Sequence, residues 1–526
     1  MAEALKDIFF TREFMDRLSA AIVAHYPAFD TGAFLDDIYT PGWDELALKA
    51  RMRHTTQALG RQLPADFRAA LDILSQAEAA LDHHDFDLMV FSDYVALYGT
   101  DDWEASLPAM EKFTQRMSAE YAVRPFIIAD QPRMMAQMLA WAHHDHEQVR
   151  RLATEGCRPR LPWGVSLPAL KADPSPILPI LDRLKDDPAE TVRRWRRSGR
   201  EPLAEWIARV ERADAVVVNG EGSMIFTTPS RLEQRFHLAV MQLAHEADVP
   251  FAYVNALVAD PANGPRNAAT VAATRRLLPQ ARLVTTRDPW SQAFLREVAP
   301  EVASVYVPDS VFAWKGRVGR GRDLLARPEY LTPFHERPDR LGTWDFQRPY
   351  ICVGGSSEAA KDPKRAAASY RRLLQALPEL GYPLVVTVSS TGDAFLEELA
   401  HELGLPLVPA DTNVMVATEI LAHAELVVTG RYHPAILAGL GGVPGVLLGA
   451  DSHKTASVQQ MLGYPDIHVF AEQPTAADVS AILQRARRVL AERQRWQEAI
   501  ETALALRAAE ARRLTGHLES LGQVSA

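Results

Sequence analysis

The stretch TGRYHPAILAGLGGVPGVLLG, residues 429–449, sets Arg431 and His433 between a Val-rich run and a Gly-rich apolar one. An arginine presents a planar fork of donors that matches carboxylate or phosphate. A histidine two residues later is the side chain best suited to deliver a proton near neutral pH. AELVVTG reads as a buried strand and PAILAGLGG as the opening of a helix, with Pro434 suited to its first turn. The carboxyl end of a strand running into a helix N-terminus is a ready anion site. Three further places carry related chemistry. Arg287 stands in TTRDPW, Lys454 stands in DSHKT after the next strand, and Gly220 and Gly222 of NGEGS would let backbone approach a ligand closely. Glu221 lies between those glycines, with no role that its type assigns. Asp288 and Asp309 fit helix capping as well as base chemistry.

These residues need elements to hold them. From Ala213 onward ADAVVVNGEGS, PFAYVNAL, ARLVTTRD, SVYVPDS, YICVGGSS, YPLVVTVSS, LPLVPAD and AELVVTG are short Val-rich runs separated by helical stretches. Near-continuous apolar strands alternating with helices predict parallel sheets covered on both faces. Two sets are visible, about 213–312 and 350–450. Residues 1–197 instead carry apolar side chains at three- and four-residue intervals, as in FRAALDILSQAEAALDHH, and predict helix after helix. The spacing therefore predicts a helical module over 1–197, a first Rossmann-like lobe over 198–315 and an interlobe linker over 316–349. A second lobe over 350–470 and C-terminal helices over 471–526 complete the chain.

Within the helical part, HDHEQVRRLATEG and DDPAETVRRWRRSG each place an acid before Val-Arg-Arg, and Val149 and Val192 are separated by a HEAT-length period of about 40–47 residues. The expectation is that Asp145 and Asp187 cap, the valines pack and the arginines face a groove. RRWRRSGR reads as a solvated linker rather than a DNA clamp.

A net charge of −10 argues against general attraction to nucleic acid, leaving only a local basic face. Cys157 and Cys352 have no CxxC partner, so a reducing compartment and no zinc module are expected. The N-terminus is a poor signal peptide, and the longest apolar run is broken by Gly and Pro. No transmembrane segment and a cytoplasmic location are expected. HHDFD (83–87) and HHDH (143–146) lack HExxH spacing, and GRVGRGRDL (316–324) lacks the GK[ST] ending of a phosphate loop. No metal site is predicted.

SAEYAVRPFI (118–127) and VRRLATEGCRPRLPW (149–163), with LKARMRH near residue 50 and LPILDRLKDD later, resemble the AlkC-type alkylpurine DNA glycosylases, which are HEAT-like. The likeness covers about residues 8–195. It implies a cleft containing Glu120, Glu155 and Trp163, in which carboxylates and an aromatic face stabilise a cationic base. Arg124, Arg158 and Arg160 would be phosphate contacts or structural partners. The Asn-rich segment that continues the family's helix after DDPAETVRR is missing, which implies an incomplete cleft.

DAVVVNGEGS (214–223), TTRDPWSQAFL (285–295), YVPDSVF (306–312) and the opening stretch, in that order and spacing, resemble the polysaccharide pyruvyl transferase family. The resemblance implies a two-lobed, GT-B-like fold with ligand between the lobes. It also implies transfer of the enolpyruvyl group of phosphoenolpyruvate to a glycan hydroxyl, leaving a pyruvate ketal. In that chemistry His433 is the acid, Arg431 and Arg287 hold the donor's charge, and Lys454 is an additional donor contact. Phosphoenolpyruvate is a substrate, and no cofactor is expected. The rival readings are an alkylated-DNA glycosylase or binder, a sugar-nucleotide glycosyltransferase, and an inactive fusion of two domain fragments. The family's usual opening βα unit is missing, which implies a first lobe short of part of its sheet.

Overall fold

The computed structural model describes residues 8–82, 86–161, 164–318, 346–410 and 412–522. Trp163, most of GRVGRGRDL and part of HHDFD lie outside the described residues. The chain divides into two compact units, Met1–Glu190 and Thr191–Ala526.

The first unit is helical among its described residues, from Arg12–His25 to Leu178–Leu184. Five of its helices start where short oxygen-bearing side chains accept the orphan N–H groups of a first turn. Thr11, Asp30, Asp66, Asp102 and Asp130 all do so. One apolar cluster, including Phe14, Leu74, Phe91, Met110, Phe126 and Trp141, fills the centre.

The two Val-Arg-Arg stretches do not behave as copies. Val149 packs into this first core, whereas Val192 belongs to a core of the second unit. His146, not Asp145, accepts from Gln148 N at the start of Glu147–Gly156. Asp187 does cap as expected, accepting from Ala189 N. Arg150 faces no groove: it is buried, with its Nε 2.8 Å from Asp187 Oδ2, and it also donates to the carbonyls of His144 and Asp145. RRWRRSGR is largely solvent-exposed, as expected, but it is helical in its first part. Its first part closes the helix Pro188–Arg197, Trp195 meets Trp206 edge-on, and Arg196 reaches Glu211 and Glu246.

The second unit is built on two parallel sheets. The first runs β1 (Val216–Ile225), β2 (Phe251–Ala259), β3 (Leu283–Thr286) and β4 (Val305–Tyr306), in spatial order β1-β2-β3-β4. The second contains β5 (Ile351–Ser356), β6 (Leu384–Thr387), β7 (Leu407–Val408), β8 (Leu426–Gly430), β9 (Gly445–Leu448) and β10 (Val469–Phe470). Its order, β10-β9-β8-β5-β6-β7, is that of a doubly wound dinucleotide-type sheet. The strand order reverses between β5 and β8, so the crevice outside their carboxyl ends is the expected ligand position. β2, β5, β6, β8 and β9 are buried along their whole length, which explains their unbroken apolar runs. In the first sheet β1 is an edge strand.

The C-terminal helices Ala476–Ala491 and Arg493–Ala511 return over the second sheet. Trp496, Ile500 and Leu504 join its core together with Phe312 of the first lobe. Among the described residues, no helix is long and apolar enough to cross a membrane.

Candidate functional site

β1 carries NGEGS at its carboxyl half. Its register against β2 is interrupted between Glu221 and Met224, and Glu221 sits at φ +48°. A bulge of this kind re-aims a side chain and is common beside active sites. Gly220 has a different reason for being glycine from the one its sequence suggests. A Cβ there would lie 2.7 Å from the Tyr253 ring and from Ala256 Cβ, so it admits the neighbouring strand rather than a ligand. Gly222 is more open, with a would-be Cβ 3.7 Å from Arg287 Nη2.

β3 ends at Thr286 and delivers Arg287 and Asp288 side by side, both buried. Asp288 caps the helix Pro289–Val298, accepting from the N–H groups of Trp290 and Ser291. Asp309, after β4, accepts from Val311 N in the same manner. Both aspartates therefore cap, and each also meets a histidine of the second lobe. His453 Nε2 is 3.3 Å from Asp288, and His433 Nε2 is 3.4 Å from Asp309. Burial alone would raise the Asp309 carboxyl, but His433 and Arg287 hold it below its ordinary value. Asp288 is lowered against the same burial by His453 and Ser291.

His433 occupies the first turn of Tyr432–Leu440, directly after β8. Its Nε2 faces two carboxylates of the first lobe, Asp309 and, at 3.6 Å, Glu221 Oε1. Tyr432, between the two residues that the sequence singles out, stacks on Arg287, whose guanidinium carbon is 4.1 Å from the ring centre. Arg287 is fully buried and paired to Asp309 at 3.4 Å, and its Nε has no hydrogen-bond partner among the described residues. The buried hydroxyls of Tyr432 and Tyr253 are likewise unpartnered. An open cavity of about 340 Å³ adjoins this cluster, lined by Glu221, Trp314, Val388, Thr412, His433 and Leu437 among others.

The remaining sequence-predicted cations sit differently. Arg431 lies at the strand-order reversal of the second sheet and turns into its own lobe, with Nε and Nη2 at 2.9 and 2.7 Å from the two oxygens of Asp393. Burial pushes the Asp393 carboxyl above its ordinary value, and Arg431 offsets this only in part. Lys454 opens the helix Lys454–Met461, buried, with Nζ 2.7 Å from Asp451. Burial lowers its pKa, opposed by Asp451. Asp451 also receives Arg231 from the first lobe, and its backbone carbonyl accepts from Ala262 N. The structure thus brings His433, Arg287, Glu221 and Gly222 together, with Lys454 at a second interlobe contact and Arg431 in the floor of its own lobe. Asp393, Tyr432, Arg231 and Asp451 were not singled out by sequence. Asp393 follows β6, and the carboxyl ends of parallel strands were the signal that could have found it.

In the helical unit Glu120 accepts from Ser118 and pairs with Arg151 at 3.0 Å, and Glu155 pairs with Arg158 at 2.5 Å. Arg124 is a structural arginine, fully buried and donating to the carbonyls of Gly156, Arg158, Pro159 and Val165. Cys157 is buried and unpaired, and burial pushes its thiol up to about 12.

Comparison with known proteins gives two sets of relatives. The family model for polysaccharide pyruvyl transferase matches residues 164–452, more than half of the chain, so the chain belongs to that family. An uncharacterized protein of Bacillus subtilis (strain 168), YhaZ, is 47% identical over 190 residues, which are 36% of this chain and 52% of that relative. The Pseudomonas fluorescens alkylpurine DNA glycosylase AlkC, solved bound to DNA containing an abasic site analog, is 32% identical. That match covers 47% of this chain and 65% of AlkC, with a TM-score of 0.36. The Neisseria meningitidis UDP-GlcNAc 2-epimerase bound to UDP-GlcNAc is 11% identical over 60% of this chain and 80% of its own, with a TM-score of 0.42. The chain spans about half the length of the curated relative it matches.

Proposed function

We propose that this member of the polysaccharide pyruvyl transferase family moves the enolpyruvyl group of phosphoenolpyruvate onto a glycan hydroxyl, forming a pyruvate ketal. The observation that carries the reading is the buried Arg287, with an unpartnered Nε, in the same cluster as His433. A buried guanidinium with spare donor capacity favours a carboxylate or phosphate ligand, because leaving a buried donor unsatisfied costs about 1–3 kcal/mol. His433 delivers the proton that the donor's methylene carbon takes up as the acceptor oxygen attacks the adjacent carbon. Asp309 fixes the ring in place. Arg431 has two donors engaged by Asp393, so it contributes positive potential at the sheet reversal more than a free fork. Lys454 is committed to Asp451, the carboxylate that also receives Arg231 from the first lobe. A cytoplasmic location is part of this reading, and the free, buried Cys157 and Cys352 support it.

The helical unit is read as an AlkC-related, HEAT-like module without glycosylase chemistry. Glu120 and Glu155 each carry an arginine partner, and an ion-paired carboxylate is a poor stabiliser of a second cation. Any role in contacting DNA would then be binding alone, detected as salt-sensitive duplex retention.

The test is a thermal-shift titration with phosphoenolpyruvate on wild-type protein and on Arg287→Lys, Arg431→Ala and His433→Ala. Saturable stabilisation that Arg287→Lys weakens and His433→Ala retains supports the reading. A flat wild-type response overturns it.

A further inference from the structure

We propose that Glu221 is the general base that takes the proton of the attacking acceptor hydroxyl, working opposite His433 as the acid. This rests on the donor reading above.

Four observations converge on Glu221. Its backbone lies in the left-handed region at φ +48°, which disfavours a side chain of this kind, and it stands at the register break of β1 between two glycines. The carboxylate is held in place, with Oε2 accepting the Gly222 N–H at 3.1 Å. Its other oxygen, Oε1, is 3.6 Å from His433 Nε2. The side chain is half exposed and lines the cavity of about 340 Å³, whereas Asp309, on the same histidine, is fully buried. Only Glu221 of these two carboxylates can reach an incoming hydroxyl. At about 30 Å³ per water, the cavity holds the volume of roughly ten waters, enough for a sugar ring beside the carboxylate.

The step balances without any further reactant. The acceptor oxygen bonds to the phosphate-bearing carbon of phosphoenolpyruvate while its O–H bond breaks and that proton passes to the Glu221 carboxylate. The π electrons of the donor form a C–H bond at the methylene carbon with the proton leaving His433 Nε2. Glu221 is then protonated and His433 neutral, and the short path between Oε1 and Nε2 returns the proton. A second hydroxyl then displaces phosphate, which carries away that hydroxyl's proton, and the ketal is complete. No group changes oxidation state.

The experiment uses the full chain with phosphoenolpyruvate and methyl glycosides of galactose, glucose and N-acetylmannosamine as acceptor probes, reading phosphate release and ketal formation. Glu221→Gly suits the strained backbone, so it should melt no lower than wild type and bind phosphoenolpyruvate as tightly. Its turnover should fall by about 10²–10⁴-fold, the usual contribution of a general base. Added formate or acetate should restore part of the lost turnover, a response that a merely structural residue would not show. Turnover within a few-fold of wild type, or a loss that neither carboxylate restores, overturns the proposal. Wild-type protein that shows no stabilisation by phosphoenolpyruvate overturns the underlying donor reading, and the titration alone shows that failure.

Discussion

Three carboxylates that the sequence singles out in the helical unit meet guanidinium groups, while three in the candidate site of the α/β unit each meet an imidazole, Asp309 alongside Arg287. Glu120, Glu155 and Asp187 lie on Arg151, Arg158 and Arg150. Asp288, Asp309 and Glu221 lie on His453 and His433. A guanidinium stays charged at any accessible pH, so its partner is neutralised permanently and the pair acts as a strut. An imidazole gains and loses its proton in the working range, so a carboxylate beside it belongs to a pair that can exchange protons with a substrate. These two sets of three acids thus differ in what they are free to do.

The sharpest way to break this comparison is to remove the proton carrier. His433→Ala should cut phosphoenolpyruvate-dependent phosphate release by about 10²–10⁴-fold with donor binding retained, and the matching probe of the helical unit is base release from alkylated DNA. That second assay should show no activity in wild type, and detectable release abolished by Glu155→Gln would undo the contrast. Next in size is the strut. Arg150 and Asp187 are both buried, so Arg150→Ala should destabilise the helical unit by about 3–5 kcal/mol, measured by urea unfolding.

Acid pH sharpens the comparison from the other side. The folded pKa values of Asp288 and Asp309 are depressed, so the stability they contribute is present above the unfolded value of about 4 and is lost as pH falls through the lower folded values. Asp451 is depressed further and should yield last. Melting curves of the α/β unit between pH 6 and pH 2 should show this loss, and Asp309→Asn should flatten the slope. The smallest expected effect is on the partly exposed pairs of the helical unit. Glu120→Gln and Glu155→Gln should each change stability by no more than about 1 kcal/mol in the same urea assay.

Most of the longer strands were legible because burial on both faces writes itself as unbroken apolar runs, and each of the eight Val-rich stretches holds one of β1–β8. β10 was not legible, since Val469–Phe470 stands in PDIHVFAE, with no Val-rich run around it. Arg431 and His433 were both visible as chemistry, but their opposite destinations were not. Two residues apart around a helix start they diverge, one toward Asp393 in its own lobe and the other toward Asp309 across the cleft. The Val-Arg-Arg echo was misleading for a related reason. Local similarity fixes that the valine is buried, but the core receiving it depends on the chain far away.

Phe312, in the short turn Ser310–Trp314 that ends the first lobe, packs in the core of the second, and the helix Arg493–Ala511 comes back to that turn. Lys315 donates to the carbonyl of Glu501 at 3.0 Å, and Arg507 lies over Tyr306. During synthesis, then, the first sheet emerges long before the helix that covers its last turn. At ribosomal rates of about 5–20 residues per second, that apolar turn waits on the order of ten seconds or more for its partner. The first lobe is therefore finished last, although it is made first, and a chaperone able to shield a short apolar turn would find its longest opportunity there.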